Sequence, residues 1–186
     1  MLSDEQLIEQ IRRGDTTAFQ ALVEKYQKKM YAVAYGLVGN REDALDSVQE
    51  AFVKAYRSLE RFKGESSFYT WLYRITVNTA LNHAKKRSRV TRHEVEEVFE
   101  DPATVTQPDA GKRLEAEDTA KRLKVLLDQL NPDQRACIIS REIEGMDYQE
   151  IARSLGININ TVRSRLKRAR ETLMELGQKE VASHGM

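Results

Sequence analysis

Residues 147–173 read DYQEIARSLGININTVRSRLKRARETL. Asp147 and Glu150 have the spacing of a helix capping box, and Gly156 permits a sharp turn before a second helix begins. The first helix of the pair offers three apolar residues to a core: Ile151, Ala152 and Leu155. A capped short helix, a turn glycine and an immediate second helix are typical of a helix-turn-helix, whose second helix enters the major groove of DNA.

The second helix of this motif has two different faces. At 100° per residue, four apolar residues share one narrow arc: Val162, Leu166, Ala169 and Leu173. The opposite face carries Asn160, Arg163, Ser164, Lys167 and Arg168, with Arg165 and Arg170 at its borders. Arginine can bind guanine edges while the other cations hold phosphates. A basic helix alone is more often a solvated surface, but the cap, the glycine and the apolar stripe occur here in the right order, which favours DNA binding.

The remaining sequence predicts an almost wholly helical chain, because only three prolines and nine glycines interrupt apolar residues spaced three and four apart. Helices are expected over 4–13, from Phe19 to the break at Gly39, over 41–60, 68–88 and 119–130, from Pro132 to Gly145, from Asp147 to Gly156, and over 160–176 with a frayed polar tail. Residues 93–118 lose the periodicity and contain Pro102 and Pro108, which predicts a flexible linker. The expected fold class is all-α, with two small helical domains, 1–92 and 119–186, joined by an acidic linker.

The formal net charge of the chain is only +1, but the charges are unevenly distributed along the sequence. Residues 1–92 carry a net charge of +5 and residues 121–186 one of +3, whereas residues 93–120 carry −7. Basic blocks attract polyanions, and an acidic strip between them can shield them when no polyanion is bound. A plain solvated linker has the same composition, so the charge pattern alone leaves both interpretations open.

The sequence argues against several classes of protein. Asp4, Glu5 and Glu9 stand where a signal peptide would be basic and then apolar, and no later run is long enough to cross a bilayer, so we expect a cytosolic protein without membrane insertion. The single cysteine, Cys137, has apolar neighbours and is expected to be a packed thiol rather than a redox sensor. The sequence has no glycine-rich phosphate loop and no Cys/His metal set, and its three histidines lie in a basic helix, the linker and the tail: His83, His93 and His184. Catalytic residues, metals and cofactors are therefore not expected.

Aromatic residues mark a second candidate nucleic-acid surface. Seven of the thirteen lie within residues 52–73, and four of these occupy six successive positions: Phe68, Tyr69, Trp71 and Tyr73. Phe52 and Tyr56 share a helix face with apolar neighbours and are expected to pack inward. The group at 68–73 is too dense for one buried stripe, so some members are expected to be exposed, although Trp71 is expected in the core. Cations lie nearby, at Lys63, Arg74, His83, Lys85, Lys86, Arg87, Arg89 and Arg92. Rings beside a basic track suit single-stranded nucleic acid, because unpaired bases stack on rings while cations bind the backbone.

The loop before this cluster contains Gly64, Ser66 and Ser67, small residues that let backbone approach a ligand closely. Asn78 follows the cluster and carries an amide that can bond a base edge. We expect one unstacked base to enter a pocket made by loop 63–67 and the start of the fourth helix. The strand-binding residues predicted on this basis are Lys63, Gly64, Ser66, Phe68, Tyr69, Tyr73, Arg74 and Asn78.

The third helix has an acidic and amide-rich outer face. Its members are Asp43, Asp46, Gln49 and Glu50, while Ala44, Val48, Ala51, Phe52, Ala55 and Leu59 turn inward. Such a face commonly serves solubility alone. Beside a DNA-binding module it also fits docking on a basic protein surface.

Three segments in order resemble the extracytoplasmic-function (ECF) sigma factors of bacterial RNA polymerase. Residues 43–52 are similar to the polymerase-docking helix of that family, residues 68–75 with Asn78 to its promoter-melting segment, and residues 161–166 to its upstream recognition helix. The likeness is to the envelope-stress, sigma-E type, and it covers roughly residues 4–92 and 119–176.

The resemblance implies a non-enzymatic transcription-initiation factor that binds core RNA polymerase and promoter DNA. Its first domain is expected to bind the clamp helices and the minus-10 element, and its second domain the beta flap and the minus-35 element. An anti-sigma factor, often membrane-anchored in the family, and a stress regulon are also implied. Lys167 departs from the aromatic or histidine common at this position and is expected to contact phosphate or to vary.

Other interpretations make different predictions. A conventional transcription regulator would bind its operator alone, whereas a sigma factor of this type binds promoter DNA weakly by itself and strongly with polymerase. An enzyme acting on nucleic acid would need a catalytic site, for which the sequence offers no candidate. A structural adaptor would leave the recognition helix unexplained.

Overall fold

The computed structural model describes residues 2–90 and 122–184, which form helices and turns with no β-strand. The chain divides into two compact units. The first contains α1 (Asp4–Arg12), α2 (Thr17–Val38), α3 (Arg41–Ser58) with a 3-10 turn (Leu59–Arg61), and α4 (Phe68–Val90). The second contains α5 (helical residues 122–128), α6 (Pro132–Ile138) with a π-helical turn (Ile139–Ile143), most of α7 (Tyr148–Leu155) and α8 (Ile159–His184). The prediction of an all-α fold is confirmed, while the predicted linker at 93–118 lies outside the described residues.

In the first unit, large side chains of α2 pack against small residues of α3. Leu22, Met30 and Leu37 are buried on α2. On α3, which packs against α2, three alanines are fully buried: Ala44, Ala51 and Ala55. Small residues let the helices approach closely, and each large apolar side chain removed from water contributes about 1.5–3 kcal/mol. The helix boundary here is set by Gly39, which ends α2 with a φ of +77°, and by Asn40, whose side chain accepts a hydrogen bond from the Asp43 amide at 2.9 Å.

The second unit has its core between α6, α7 and α8. The fully or nearly fully buried residues there include Ala136, Ile139, Ile151, Val162, Leu166 and Ala169. Asn131 and Gln134 form a capping box at the start of α6, and Pro132 occupies its first position. Cys137 is also buried, and this burial raises the pKa of its thiol to about 11. The expectation of a packed thiol is confirmed.

Two expectations about local structure are wrong. The last helix does not fray near residue 176 but continues through Gly177 to His184. Strong helix formers follow this glycine and favour the continuation. Tyr56 does not pack inward with Phe52; it is 44% exposed, against 7% for Phe52. Tyr56 lies at the border of the buried face of α3, where its ring contacts that of Phe19 with 4.9 Å between centroids.

Candidate nucleic-acid and protein interfaces

The helix-turn-helix is formed by the local signals visible in the sequence. The amide of Glu150 donates to Asp147 Oδ1 at 2.8 Å, and the amide of Asp147 donates to Glu150 Oε2 at 2.8 Å, so the predicted capping box is present. Gly156 has a φ of +64°, a left-handed conformation that glycine adopts without strain. Asn158 then starts α8 by accepting a hydrogen bond from the Asn160 amide at 2.8 Å on its side chain.

The recognition face of α8 consists of five residues that are all exposed: Asn160, Arg163, Ser164, Lys167 and Arg168. Their side of the helix is fixed because Val162, Leu166 and Ala169 are buried on the opposite side. All five predicted residues therefore share one surface. Asn160 Oδ1 accepts a hydrogen bond from Arg163 Nη1 at 2.9 Å, which orients the guanidinium.

The two flanking arginines attach α8 to the rest of its unit. Arg165 forms an ion pair with Asp133 at 3.4 Å, and Arg170 forms one with Glu142 at 2.7 Å. These contacts reach α6 and the π-helical turn that follows it. Arg165 and Arg170 thus position the recognition face, while the cations on that face point outward.

The aromatic cluster at the start of α4 divides into core and surface rings. Phe68 and Tyr73 are buried, with 3% and 0% exposure, whereas Tyr69 and Trp71 are half-buried. The expectation that some rings stay accessible is confirmed, but the expectation of a core position for Trp71 is wrong. Its ring lies 5.1 Å from that of Phe62 and has its remaining surface in a groove.

This groove lies between the end of α3 and one face of α4 and has a volume of about 310 Å³. We call it the α3–α4 groove, and it is lined by Lys54, Ser58, Arg61, Trp71, Arg74, Ile75, Asn78, Thr79 and Asn82. Three of these side chains are cationic, two are amides, one is an indole and none is acidic. The groove therefore offers cations for phosphates, amides for base edges and a ring for stacking.

Residues 62–67 approach α1 rather than completing the α3–α4 groove. Arg12 donates a hydrogen bond to the carbonyl of Phe62, and Lys63 and Gly64 line a separate pocket of about 500 Å³ with residues of α1. Gly64 has a φ of +74°. Ser67 accepts a hydrogen bond from the Thr70 amide at 3.1 Å. The eight predicted strand-binding residues thus divide. Arg74 and Asn78 lie in the groove, Lys63 and Gly64 in the other pocket, and Ser66 on the exposed loop, while Tyr69 is half-buried outside both pockets and Phe68 and Tyr73 lie in the core.

Seven of the nine residues that line the α3–α4 groove were not predicted as strand-binding residues from the sequence: Lys54, Ser58, Arg61, Trp71, Ile75, Thr79 and Asn82. For Asn82 a signal existed, because positions 71, 75, 78 and 82 share one face of a helix. Lys54 and Arg61 belong to the end of α3 and its 3-10 turn. Their place beside Trp71 depends on how α3 packs against α4.

The outer face of α3 carries one carboxylate that is simply exposed and one that is hydrogen-bonded to neighbouring side chains. Asp46 and Gln49 are exposed. Glu50 Oε1 lies 2.7 Å from Lys54 Nζ and its Oε2 lies 2.9 Å from His83 Nε2, and these hydrogen bonds lower the pKa of Glu50. The side chains of the Glu50–Lys54 pair are 45% and 46% exposed, so this pair is a surface pair.

Asp43 is more deeply set than the prediction of an exposed docking residue implies. Its Oδ2 accepts hydrogen bonds from Asn40 Nδ2 at 2.8 Å and from Arg87 Nη1 at 3.0 Å. Desolvation raises the pKa of Asp43, but the hydrogen bonds from Asn40 and Arg87 outweigh it, and the pKa is lowered overall. Asp43 connects α3 to α4 and is only partly accessible to a partner.

Apolar side chains accompany the exposed polar ones on α3. Leu45 and Val53 are 48% and 44% exposed. Together with Asp46 and Gln49 they make a mixed surface, of the kind found in protein interfaces with an apolar centre and a polar rim. Within residues 2–90 and 122–184, no helix has the length and apolar character needed to cross a membrane. The same part of the chain contains no cluster of His, Cys, Asp or Glu able to hold a metal ion.

Comparison with known families finds one matching family model for each of the two units. Residues 22–90 match the model for Sigma-70 region 2, and residues 120–173 match the model for Sigma-70, region 4.

Two similar proteins are named as sigma factors. The chain is 41% identical to the RNA polymerase sigma-H factor of Pseudomonas aeruginosa, with 91% of each chain covered. It is 40% identical to the ECF RNA polymerase sigma-E factor of Haemophilus influenzae, with 92% of this chain and 94% of that protein covered.

Two solved structures resemble it over most of their length. CnrH, in complex with the cytosolic domain of CnrY, gives a TM-score of 0.65 at 26% identity, over 95% of this chain and 97% of that one. RpoE of Bartonella quintana, in complex with the anti-sigma factor NepR, gives 0.64 at 29% identity, over 86% of this chain and 96% of that one.

Proposed function

Since the chain belongs to the ECF sigma factors of RNA polymerase, we propose that its described surfaces divide the work of initiation among three contacts. The α8 face binds the minus-35 element as duplex, the α3–α4 groove binds the non-template strand of the minus-10 element, and the outer face of α3 binds core polymerase. The observation that carries this division is the presence of two unlike cationic surfaces, an exposed helix face in one unit and an acid-free groove with an indole in the other.

Minus-35 recognition is assigned to the five exposed residues of α8. The guanidinium of Arg163 has the shape to donate two hydrogen bonds to a guanine, and its bond to Asn160 holds it in one orientation. Ser164 can bond a base edge or a phosphate. Arg168, exposed on the same side of the helix, is assigned to the element together with Arg163 and Ser164, and Lys167 to a phosphate or a variable contact.

Minus-10 binding is assigned to the α3–α4 groove together with the loop before α4. Trp71 supplies a half-buried ring for stacking, Asn78 an amide for a base edge, and Arg74 a charge for the backbone. Lys63, Gly64 and Ser66 lie on a neighbouring segment and can receive a base that has left the stack. Tyr69 adds a second half-buried ring, with Lys29 Nζ 5.6 Å from its centroid. Phe68 and Tyr73 support these residues from the core.

Opening of the duplex follows from this arrangement without any catalytic step by the protein. Extrusion of a base costs a few kcal/mol, and stacking returns about 1–3 kcal/mol for each base. Hydrogen bonds to the edge of the extruded base contribute further favourable binding free energy. Binding energy alone can therefore hold the strands apart, and we propose no enzymatic activity.

Docking on core polymerase is assigned to Asp46, Gln49 and Glu50, with Leu45 and Val53 as apolar contacts. Asp43 contributes chiefly by holding α3 against α4 through Arg87. The clamp helices are the proposed partner of this face and the beta flap that of the second unit. We retain 1–92 and 119–186 as the proposed domain limits, with 93–118 as the linker.

Regulation by an anti-sigma factor is proposed from the two complexes. The sigma factor RpoE was solved bound to the anti-sigma factor NepR, and CnrH was solved bound to the cytosolic domain of CnrY; this chain is similar to RpoE and to CnrH over most of its length. An anti-sigma partner that covers polymerase-binding surfaces, soluble or membrane-anchored, would keep this chain inactive until a stress signal releases it. Its site of action would be the cytoplasm, where RNA polymerase works.

The test combines promoter binding with docking. We expect weak promoter binding by the chain alone and tight binding by the chain with core polymerase. Asp46→Lys should weaken core binding at unchanged helicity, whereas Glu24→Lys, the same charge change on the exposed side of α2, should not. Tight, sequence-specific binding without polymerase would instead identify a conventional regulator, and full core affinity of Asp46→Lys would remove α3 from the interface.

A further inference from the structure

Lys54 occupies a position between two of the proposed interfaces. Its Nζ lies 2.7 Å from Glu50 Oε1 on the outer face of α3, and it also donates to Thr79 Oγ1 at 3.1 Å on α4. Thr79 and Lys54 both line the α3–α4 groove. A single ammonium group thus contacts a carboxylate assigned to polymerase and the wall of the groove assigned to DNA.

We propose that Lys54 is a contact to the phosphate backbone of the minus-10 strand, and that Glu50 restrains this lysine until polymerase binds Glu50. The inference rests on the proposed function. It adds a binding residue that was absent from the predicted set, and it names the contact that links docking to strand binding.

The charges support an exchange of partners at Glu50. A lysine or arginine on the polymerase surface would approach a carboxylate that already has Lys54 on one oxygen and His83 on the other. An arginine can bind both oxygens of a carboxylate at once, so it would displace Lys54. The displaced ammonium remains anchored on α3 and beside Arg74 and Asn78, in a groove without acidic lining. A phosphate is then its available counter-charge.

The size of the effect follows from the exposure of the pair. Both side chains are nearly half exposed, and exposed ion pairs are weak. Freeing Lys54 should therefore tighten strand binding by only about two- to fivefold. A more sensitive readout is the salt dependence, because each phosphate contact on a single strand adds about 0.7 to the slope of log affinity against log salt concentration.

The experiment uses the full-length chain and a fluorescein-labelled single-stranded DNA of mixed sequence, titrated at several KCl concentrations. The variants are Glu50→Gln, Lys54→Gln and the double variant. Glu24→Gln serves as the matched control, because it removes one negative charge from the exposed surface of α2. All these side chains are partly or fully exposed, and circular dichroism checks that each variant is folded.

Without polymerase, Glu50→Gln is expected to tighten binding about two- to fivefold and to steepen the salt slope by about 0.7. In the Lys54→Gln background the same substitution should have no effect beyond that of Glu24→Gln. In holoenzyme on a premelted promoter, Lys54→Gln should reduce the slope by about 0.7.

Two results would overturn the proposal. If the gain from Glu50→Gln persists when Lys54 is absent, Glu50 acts through general repulsion of DNA rather than through this lysine. If Lys54→Gln leaves the slope in holoenzyme unchanged, Lys54 does not contact a phosphate. Neither result bears on the docking assignment, because that assignment is tested separately by the core affinity of Asp46→Lys.

Discussion

Arg163 offers the sharpest test of how α8 recognises DNA. It is exposed, so Arg163→Ala should change the free energy of unfolding by less than about 0.5 kcal/mol. If its guanidinium donates two hydrogen bonds to one guanine, its loss removes about 1–3 kcal/mol of discrimination, or about five- to 150-fold in affinity for the preferred base pair. The hydrogen bond from Arg163 Nη1 to Asn160 Oδ1 at 2.9 Å favours this role, because it orients the guanidinium plane before DNA binds.

The assay is holoenzyme binding to duplex promoters in which each base pair of the minus-35 element is changed in turn. Arg163→Ala should lose preference at one position and keep it at the others. Arg153→Ala, which removes an exposed arginine from α7, controls for the loss of one positive charge. A uniform loss across all promoters, with a salt slope lower by about 1, would place Arg163 among the phosphate contacts and refute base recognition.

Three further predictions concern the fold that supports these surfaces. Asp147→Ala should destabilise the second unit by about 0.5–2 kcal/mol in thermal denaturation, because it removes one half of the capping box of α7, while Asp147→Asn should restore most of the loss; an unchanged transition would contradict this. Cys137 should resist thiol reagents at pH 8 in the folded chain and react fully after unfolding, since burial raises the pKa of its thiol to about 11, and rapid modification of the folded chain would argue against a packed thiol. Asp43 has a lowered pKa in the folded chain, so its contribution to stability is present above the ordinary aspartate pKa of 3.8 and is lost as the pH falls through the lowered pKa. Urea denaturation should therefore show Asp43→Asn to be less stable than the wild type at neutral pH and nearly equal to it in strong acid, with Asp46→Asn as control; a difference that does not vary with pH would exclude this linkage.

The helix-turn-helix was predictable because all its determinants are close together in sequence. The capping box joins Asp147 and Glu150, the turn glycine follows within the same segment, and the buried stripe of α8 is set by helical periodicity alone. No long-range packing is needed to decide which side of α8 faces outward. The five residues predicted for its recognition face are accordingly all exposed together.

The α3–α4 groove was only partly predictable because it is made by two helices that pack together. Periodicity places Trp71, Asn78 and Asn82 on one face of α4, but it does not say which residues of another helix lie opposite. Lys54 and Arg61 enter the groove through that tertiary packing. The density of aromatic residues was a misleading guide for the same reason, since Tyr73 is fully buried while Trp71, the larger ring, is not.

The two carboxylates at Asp43 and Glu50 show how packing separates residues that look equivalent in sequence. Both face α4, and both meet a basic group there, Arg87 for Asp43 and His83 for Glu50. Asp43 is 23% exposed and is held by Asn40 as well, so its exchange with an outside partner would leave Arg87 and Asn40 without their shared acceptor. Glu50 is 45% exposed and its bond to Lys54 is a weak surface pair.

A contact that is exchanged when polymerase binds must meet two requirements. It must be weak enough to break, and its breaking must release a group that acts at another site. A buried pair fails the first requirement, because removal of one partner leaves an uncompensated charge at a cost of several kcal/mol. A solvated carboxylate without an internal partner fails the second, because its engagement by polymerase would change nothing elsewhere. Glu50 meets both requirements, since its partner Lys54 also contacts Thr79 in the groove. If this reasoning is right, Asp43→Asn should not alter the salt slope of strand binding by the free chain, whereas Glu50→Gln should, although both remove one negative charge from the same helix.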